Sequence, residues 1–286
     1  MHRKGKWVLA WVVLLGVFGA WKAGVLSADS TREVIVVEVR GDAQIQRAGE
    51  MAQVVADQVL KESDALVTGD DGEVELRLGA SSFLRLASRS RVELRSVSED
   101  EVDLLLEDGR LQATIRAQDG LVRVENGGRT VEAEDAEFAV GVMNGVLQVS
   151  VEQGEVQTVG ASQQQVTAGK EARFVDAYAE IGEVPESLLM DVDWEEGLPT
   201  NEAKQRVHGR TAAGALVTAR GDWGRLSVYA REDGFFEIEV PLEEGDNGMA
   251  LMAEDALGRQ SPVVRLALPY LDTRGPEFEG EVDYGD

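Results

Sequence analysis

Carboxylates are the commonest chemically active groups in this sequence, with 53 Asp and Glu against 28 Lys and Arg in 286 residues. Two carboxylates flanking a scissile bond can hydrolyse a glycoside. Glu73, Glu75, Glu93, Glu101 and Asp103, however, alternate with apolar residues, which assigns them to the solvent faces of strands. Histidine is confined to His2 and His208 and cysteine is absent. A His-containing triad, a multi-histidine or thiolate metal site, a thiol nucleophile and a disulfide scaffold therefore fall away. His208, between Val207 and Gly209 at an expected strand end, reads as structural. The run Gly69-Asp70-Asp71-Gly72 has the glycines of a phosphate loop, but its two acids repel a phosphate and no Lys follows in place, so it reads as a turn. Asp191, Asp193, Glu195 and Glu196 resemble the start of a calcium loop without its later ligands or its glycine, and read as a solvated charge run. Trp223, between Asp222 and Gly224, is the one residue singled out as a possible ligand contact, by stacking on a sugar ring; the alternative is packing at a corner. Tyr229, Phe235 and Phe236 are expected in the core. This leaves no catalytic residue, no cofactor and no metal site to assign.

The elements that must position these groups begin with the N-terminus. Residues Met1–Lys6 are basic, and Trp7–Trp21 contain no charge and no strongly polar group. Continued to Leu26 as a helix, the segment rises about 30 Å, enough to span a membrane with Lys22 reaching the far interface. A cleaved signal peptide has a similar layout. Trp21 and Leu26 stand poorly before the candidate cut sites at Ala23 and Ala28, and Trp7, Trp11 and Trp21 are spaced as interfacial anchors, so residues 1–28 are read as a retained signal anchor. Either way the remainder is expected outside the cytoplasm. All 53 acids follow residue 28, whereas Arg3, Lys4, Lys6 and Lys22 precede it. The exported part is thus strongly acidic and repels nucleic acid and anionic lipid.

From Val34 to Phe174 apolar residues recur with a period of two, as in Val74-Leu76-Leu78, Val102-Leu104-Leu106 and Leu111-Ala113-Ile115, the mark of half-buried strands. Asp71-Gly72, Asp108-Gly109, Asp119-Gly120, Asn126-Gly127 and Asn144-Gly145 punctuate the runs as expected tight hairpin turns. The fold class is all-β, as an antiparallel sandwich, a roll or a short solenoid over 34–175. Met51–Lys61 is read as irregular or strand. All six prolines follow residue 184, and the composition changes there. Residues 176–202 read as an acidic linker, with a helical turn or two conceivable over Glu186–Asp193. Residues 203–269 contain enough short strands for a small sandwich without a disulfide, and 270–286 is expected to be an acidic disordered tail.

Ser63–Leu86 resembles the FecR domain of bacterial exported regions through Asp64, Thr68, Gly69, Gly72 and Ser82. Leu106–Leu111, Val149–Val156 with Gly154, and Val166–Phe174 with Gly169 continue the resemblance over roughly residues 34–175. Ser63 stands where the family has Gly, and Ala136–Val140 lacks the usual Gly-Thr before Phe. The iron-transport regulators of that family have a long cytoplasmic arm that contacts a sigma factor, for which Met1–Lys6 would be too short. Residues 203–269 resemble bacterial immunoglobulin-like domains through Gly209–Val217, Asp233-Gly234-Phe235, Val240-Pro241-Leu242, Gly245-Asp246-Asn247 and Ala253–Gly258. The resemblances imply a non-catalytic, membrane-anchored envelope protein that binds or scaffolds cell-wall polymer or another envelope protein. The alternative is an extracytoplasmic sensor of a sigma-factor-linked signalling system. The partners expected are an envelope protein or wall polymer, and the membrane through the N-terminal helix, with no nucleic acid.

Overall fold

The computed structural model describes residues 32–160, 162–175, 178–185, 187–194 and 200–273. The expected anchor over 1–28 and residues 274–286 of the expected tail lie outside the described residues; the first two residues of that tail, Tyr270 and Leu271, instead end a strand, with Leu271 buried in a core. Among the described residues no helix is long and apolar enough to cross a membrane, and the expectation of an all-β fold holds. The single helical element described is a 3-10 turn at Ala117–Asp119.

The larger unit is built from β1 (Val34–Arg40), β2 (Ala43–Arg47), β3 (Glu50–Gln53), β4 (Val59–Leu60), β5 (Ala65–Thr68), β6 (Glu73–Leu78), β7 (Ser82–Leu86), β8 (Arg91–Val97), β9 (Glu101–Ile115), β10 (Leu121–Asn126), β11 (Arg129–Ala133), β12 (Ala136–Met143), β13 (Val146–Val159), β14 (Gln163–Thr167), β15 (Lys170–Val175) and β16 (Tyr178–Glu183). One layer runs β4-β1-β6-β7-β9-β12-β13-β15-β16 and the other β3-β2-β5-β8-β9-β10-β11-β13-β14. The strands β9 and β13 belong to both. Residues before Gly109 pair with β8 and β10, and residues after it with β7 and β12. In β13 the start pairs with β12 and β15 and the end with β11 and β14. The inward positions of the alternating runs, including Val74, Leu76, Leu84, Leu104, Leu111, Val122, Val140, Val149 and Phe174, form one core. Each fully buried side chain of this kind contributes about 1.5–3 kcal/mol, which makes a disulfide unnecessary.

Of the five Asp-Gly and Asn-Gly pairs expected at hairpins, two are. Asn126-Gly127 turns β10 into β11, and Asn144-Gly145 turns β12 into β13. The other three sit where the chain changes layer. Asp71-Gly72 leads from β5 to β6, Asp119-Gly120 leads into β10, which runs parallel to β9, and Asp108-Gly109 lies within β9. At Gly109 and Gly120 the same positive-φ tolerance that closes a hairpin lets a strand leave its sheet, whereas Gly72 is required by close approach, a Cβ there lying 2.0 Å from the Asp42 carbonyl oxygen. Gly109 has φ 93° and Gly154, at the matching point of β13, φ 75°. A Cβ at residue 109 would lie 2.2 Å from Ser90 Oγ. Met51–Lys61 contains the end of β3 and all of β4, with no helix.

The C-terminal unit is a second sandwich, formed by β17 (Asp191–Asp193), β18 (Lys204–Arg210), β19 (Leu216–Gly221), β20 (Gly224–Tyr229), β21 (Phe235–Pro241), β22 (Gly245–Glu254) and β23 (Val264–Leu271). Its sheets, β17-β18-β21 and β20-β19-β22-β23, enclose Val207, Phe236, Ile238, Val217, Ala219 and Leu251. The acidic stretch 176–202 contributes β16 to the first unit and β17 to the second. The described part of Glu186–Asp193 contains no helical turn, because Asp191–Asp193 pairs with β18 instead.

Two substitutions test the backbone argument. Gly109→Ala puts a side chain both into Ser90 and at positive φ, and is expected to lower unfolding free energy by about 2 kcal/mol or more, read as a shifted denaturant midpoint at constant slope. Ser63, the residue standing where the family has Gly, is exposed and has φ 68°. Ser63→Gly is expected to move the midpoint the other way, by up to about 1 kcal/mol.

Candidate partner-binding surface

The polar residues that carry the FecR resemblance are used up inside the fold. Asp64 is 2% exposed and accepts hydrogen bonds from Arg47 Nε at 2.7 Å, Arg47 Nη2 at 2.5 Å and the Lys61 N–H at 2.6 Å. Burial alone would raise its carboxyl, but these donors hold it below the usual range. Thr68 Oγ1 donates to the Ala87 carbonyl at 2.6 Å and accepts from the Ser90 N–H at 2.9 Å. Ser82 Oγ donates to Asp119 at 2.8 Å and accepts from the Arg116 N–H at 3.0 Å. Asp119 also accepts from the N–H groups of Ala80 and Ser81, both at 2.8 Å. Burial would raise Asp119, and these bonds together with the nearby Arg32 outweigh it and hold the carboxyl low. Gly69 and Gly72 pack against Asp42. The motif therefore fastens corners, and a site for any partner has to be sought on the outward faces.

The first layer offers one such face. Cross-strand register lines up Glu75, Arg85, Gln112, Ala139 and Ser150 in one row across β6, β7, β9, β12 and β13. Phe83, Thr114 and Glu137 form the next row. Between them runs a trough of about 390 Å³. Its floor is low because residues 139 and 150 are small. Arg85 bonds Glu75 at 2.9 Å and Glu73 at 3.1 Å, and Arg116 bonds Glu137 at 2.6 Å. Phe83 is only half-buried. The arrangement provides an apolar wall, a fixed cation and several acceptors, and suits a polypeptide surface better than a compact charged ligand.

Residues 64–157 match the FecR protein family. Two crystal structures of a "putative anti-sigma factor" from Parabacteroides distasonis ATCC 8503 also resemble part of the chain, each at 16% identity, with TM-scores of 0.37 and 0.36. They cover 43% and 42% of this chain, which in turn spans 59% and 58% of theirs. No curated protein matches the chain. The trough lies within the FecR-matched region.

Beside the trough the outward row Arg110, Gly141 and Gln148 is covered by the β22–β23 turn. Glu254 pairs with Arg110 at 3.2 Å and with Arg89 at 3.8 Å, and Arg259 pairs with Glu171 at 2.7 Å. Gly141 is required by this approach, since a Cβ there would lie 2.1 Å from the Ala256 carbonyl oxygen. The turn is organised by Asp255, which is 1% exposed and accepts from the N–H groups of Leu257 and Arg259 at 3.0 and 2.9 Å. These contacts join the FecR-matched region to the C-terminal sandwich.

The other residues singled out in the sequence are dispersed. Trp223 is half-buried, with its indole over Gly221 and against the C-terminal core. His208 Nε2 is 3.0 Å from Asp193 Oδ2, and its ring lies 6.1 Å from Phe235, in a hollow lined also by Trp194 and Arg210. Among the described residues no group of three or more His, Asp or Glu is arranged to hold a metal ion. Glu101 and Asp103 do meet, around Arg123, which also bonds Glu132 at 2.8 Å. The hydrogen bond that the protonated Glu101 carboxyl donates to Asp103 pushes Glu101 up, with burial and the Asp103 charge adding to it. Glu93 pairs with Arg95 at 3.3 Å. Phe236 is in the core as expected, and Phe235 is half-buried. Tyr229 corrects its expectation, being 49% exposed on an edge strand. Arg85, Gln112 and Ser150 were not visible as a group in the sequence, because only cross-strand register brings them together.

The low carboxyl of Asp119 has a pH consequence. A folded-state value below the unfolded one of about 3.9 gives stabilisation that is full above that pH and lost as pH falls through the folded value. Asp119→Asn is expected to cost about 1–3 kcal/mol at pH 7. The gap from wild type should narrow as pH falls below about 4, as measured by denaturant titrations across the acid range.

Proposed function

We propose that this chain is the extracytoplasmic sensing component of a transmembrane signalling system, and that it recognises a protein partner through the trough on the FecR-matched region. The observation that carries this reading is the FecR match over residues 64–157. It favours the sensor over the wall or envelope scaffold as the reading of the whole. The trough supports a polypeptide partner, because Phe83 supplies an apolar contact and Arg85 a cation already oriented by Glu73 and Glu75. Retention of residues 1–28 as a membrane anchor, export of the remainder and a link to a sigma factor belong to the same proposal. No catalytic step is assigned to the chain.

Deletion of the gene in the source bacterium is expected to change the transcripts of a defined gene set. Replacement by full-length protein carrying Arg85→Glu and Gln112→Trp, at unchanged cellular level, should reduce that response about tenfold, the effect of losing about 1.4 kcal/mol of binding. An unaltered response with the double variant would remove the trough from the mechanism. Loss of wall attachment without any transcript change would return the scaffold reading.

A further inference from the structure

The sheets of this protein end in edges, and nearly all of them are blunted. β4 has two residues, β3 four and β17 three, two of them Asp. β16 carries Glu180 and Glu183, β21 carries Glu237, Glu239 and Pro241, β23 carries Arg265 and Pro269, and β14 begins with three Gln. Shortness, charge and proline are the usual protections against pairing with another chain. β20 differs. It is six residues long, Gly-Arg-Leu-Ser-Val-Tyr, with no acid and no Pro, and Arg225 is its one charge. Among the described residues it pairs only with β19, at the end of its sheet. Every residue but Val228 is exposed, Leu226 at 38% and Tyr229 at 49%.

We propose that β20 pairs antiparallel with β20 of a second copy of this chain, about a two-fold axis through Ser227. This register is self-complementary on both faces. Ser227 lies opposite itself, its hydroxyl already turned to that face by the contact with Thr218 at 3.2 Å. Arg225 of each copy lies opposite Tyr229 of the other, a cation over a ring. Leu226 lies opposite Val228, continuing the inner face where Ala219 and Val217 are their β19 neighbours. Shifting the axis by one residue in either direction loses the Arg–Tyr pairs, setting Arg225 against Ser227 or Ser227 against Tyr229. The two four-stranded sheets become one of eight strands. A single strand pair buries less than the roughly 800 Å² per partner of a standard interface, and the chains repel through their net charge of −25. The dimer is therefore weak, and the second copy is captured best where the chains are concentrated and the charge is screened.

The absence of cysteine makes the test clean. Directly opposed antiparallel residues have Cα atoms about 4.5–5.5 Å apart, within the disulfide range of about 4.4–6.8 Å. Residues 225 of the two copies are instead about 14 Å apart, four residues along the strand and one strand spacing across. Full-length Ser227→Cys, oxidised at about 0.5 M salt to shorten the screening length, is expected to give a reducible band at twice the chain mass. Arg225→Cys alone should give at least about tenfold less, and an equimolar mixture of Arg225→Cys with Tyr229→Cys should restore the band as a mixed dimer. Failure of Ser227→Cys to cross-link, with its thiol shown to be accessible by maleimide labelling, would overturn the proposal. Equal cross-linking by Arg225→Cys alone would also overturn it, as collision without register.

Discussion

Two strands that serve two sheets hold the larger sandwich in register. In a chain without disulfides the layers could slide on their apolar faces, since burial rewards area and is indifferent to alignment. β9 and β13 remove that freedom, because each is hydrogen-bonded in one layer at its start and in the other at its end. A one-residue slip in either layer would have to pass through a continuous backbone and would turn every side chain of the shared strand to the opposite face. The crossings need local backbone that only glycine supplies at low cost, at Gly109 and Gly154. The buried carboxylates Asp64 and Asp119 then fasten the corners around them.

Much of this architecture was legible in the sequence because period-two alternation reports burial directly. Val74, Leu76 and Leu78 are all buried, as are Val102, Leu104 and Leu106. What alternation does not report is which layer a strand enters. Asp108-Gly109 looks like Asn126-Gly127, yet one crosses between sheets and the other closes a hairpin, and the difference lies in pairings with residues far along the chain. The trough was hidden for the same reason. Its row runs through residues 75, 85, 112, 139 and 150, which share no local pattern. One signal was present: Ala139 and Gly141 are small residues at outward positions of a strand, where bulk is usual unless something lies above.

The charge distribution separates holding from recognising. Outward arginines of the FecR-matched region are ringed by acids, Arg85 by Glu73 and Glu75, and Arg123 by Glu101, Asp103 and Glu132. Exposed pairs of this kind contribute little to stability, about 0–1 kcal/mol each. They do orient the cations and leave carboxylates in excess over the rest of the surface. A partner approaching this protein meets a broadly negative field with a few fixed positive points, which selects for orientation more than for affinity.

The β22–β23 turn has one more implication, for how such chains can diverge. By sequence it is an ordinary surface loop, the kind that tolerates insertion. Here its backbone rests on Gly141, and Glu254 and Arg259 reach across to Arg110 and Glu171. A longer turn would lift the Ala256 carbonyl from the sheet and free residue 141 to carry a side chain, whereas any side chain at 141 would in turn forbid the short turn. Loop length at one end of the chain and residue type near its middle are thus tied, and relatives that keep the two sandwiches joined in this way must change both together or neither.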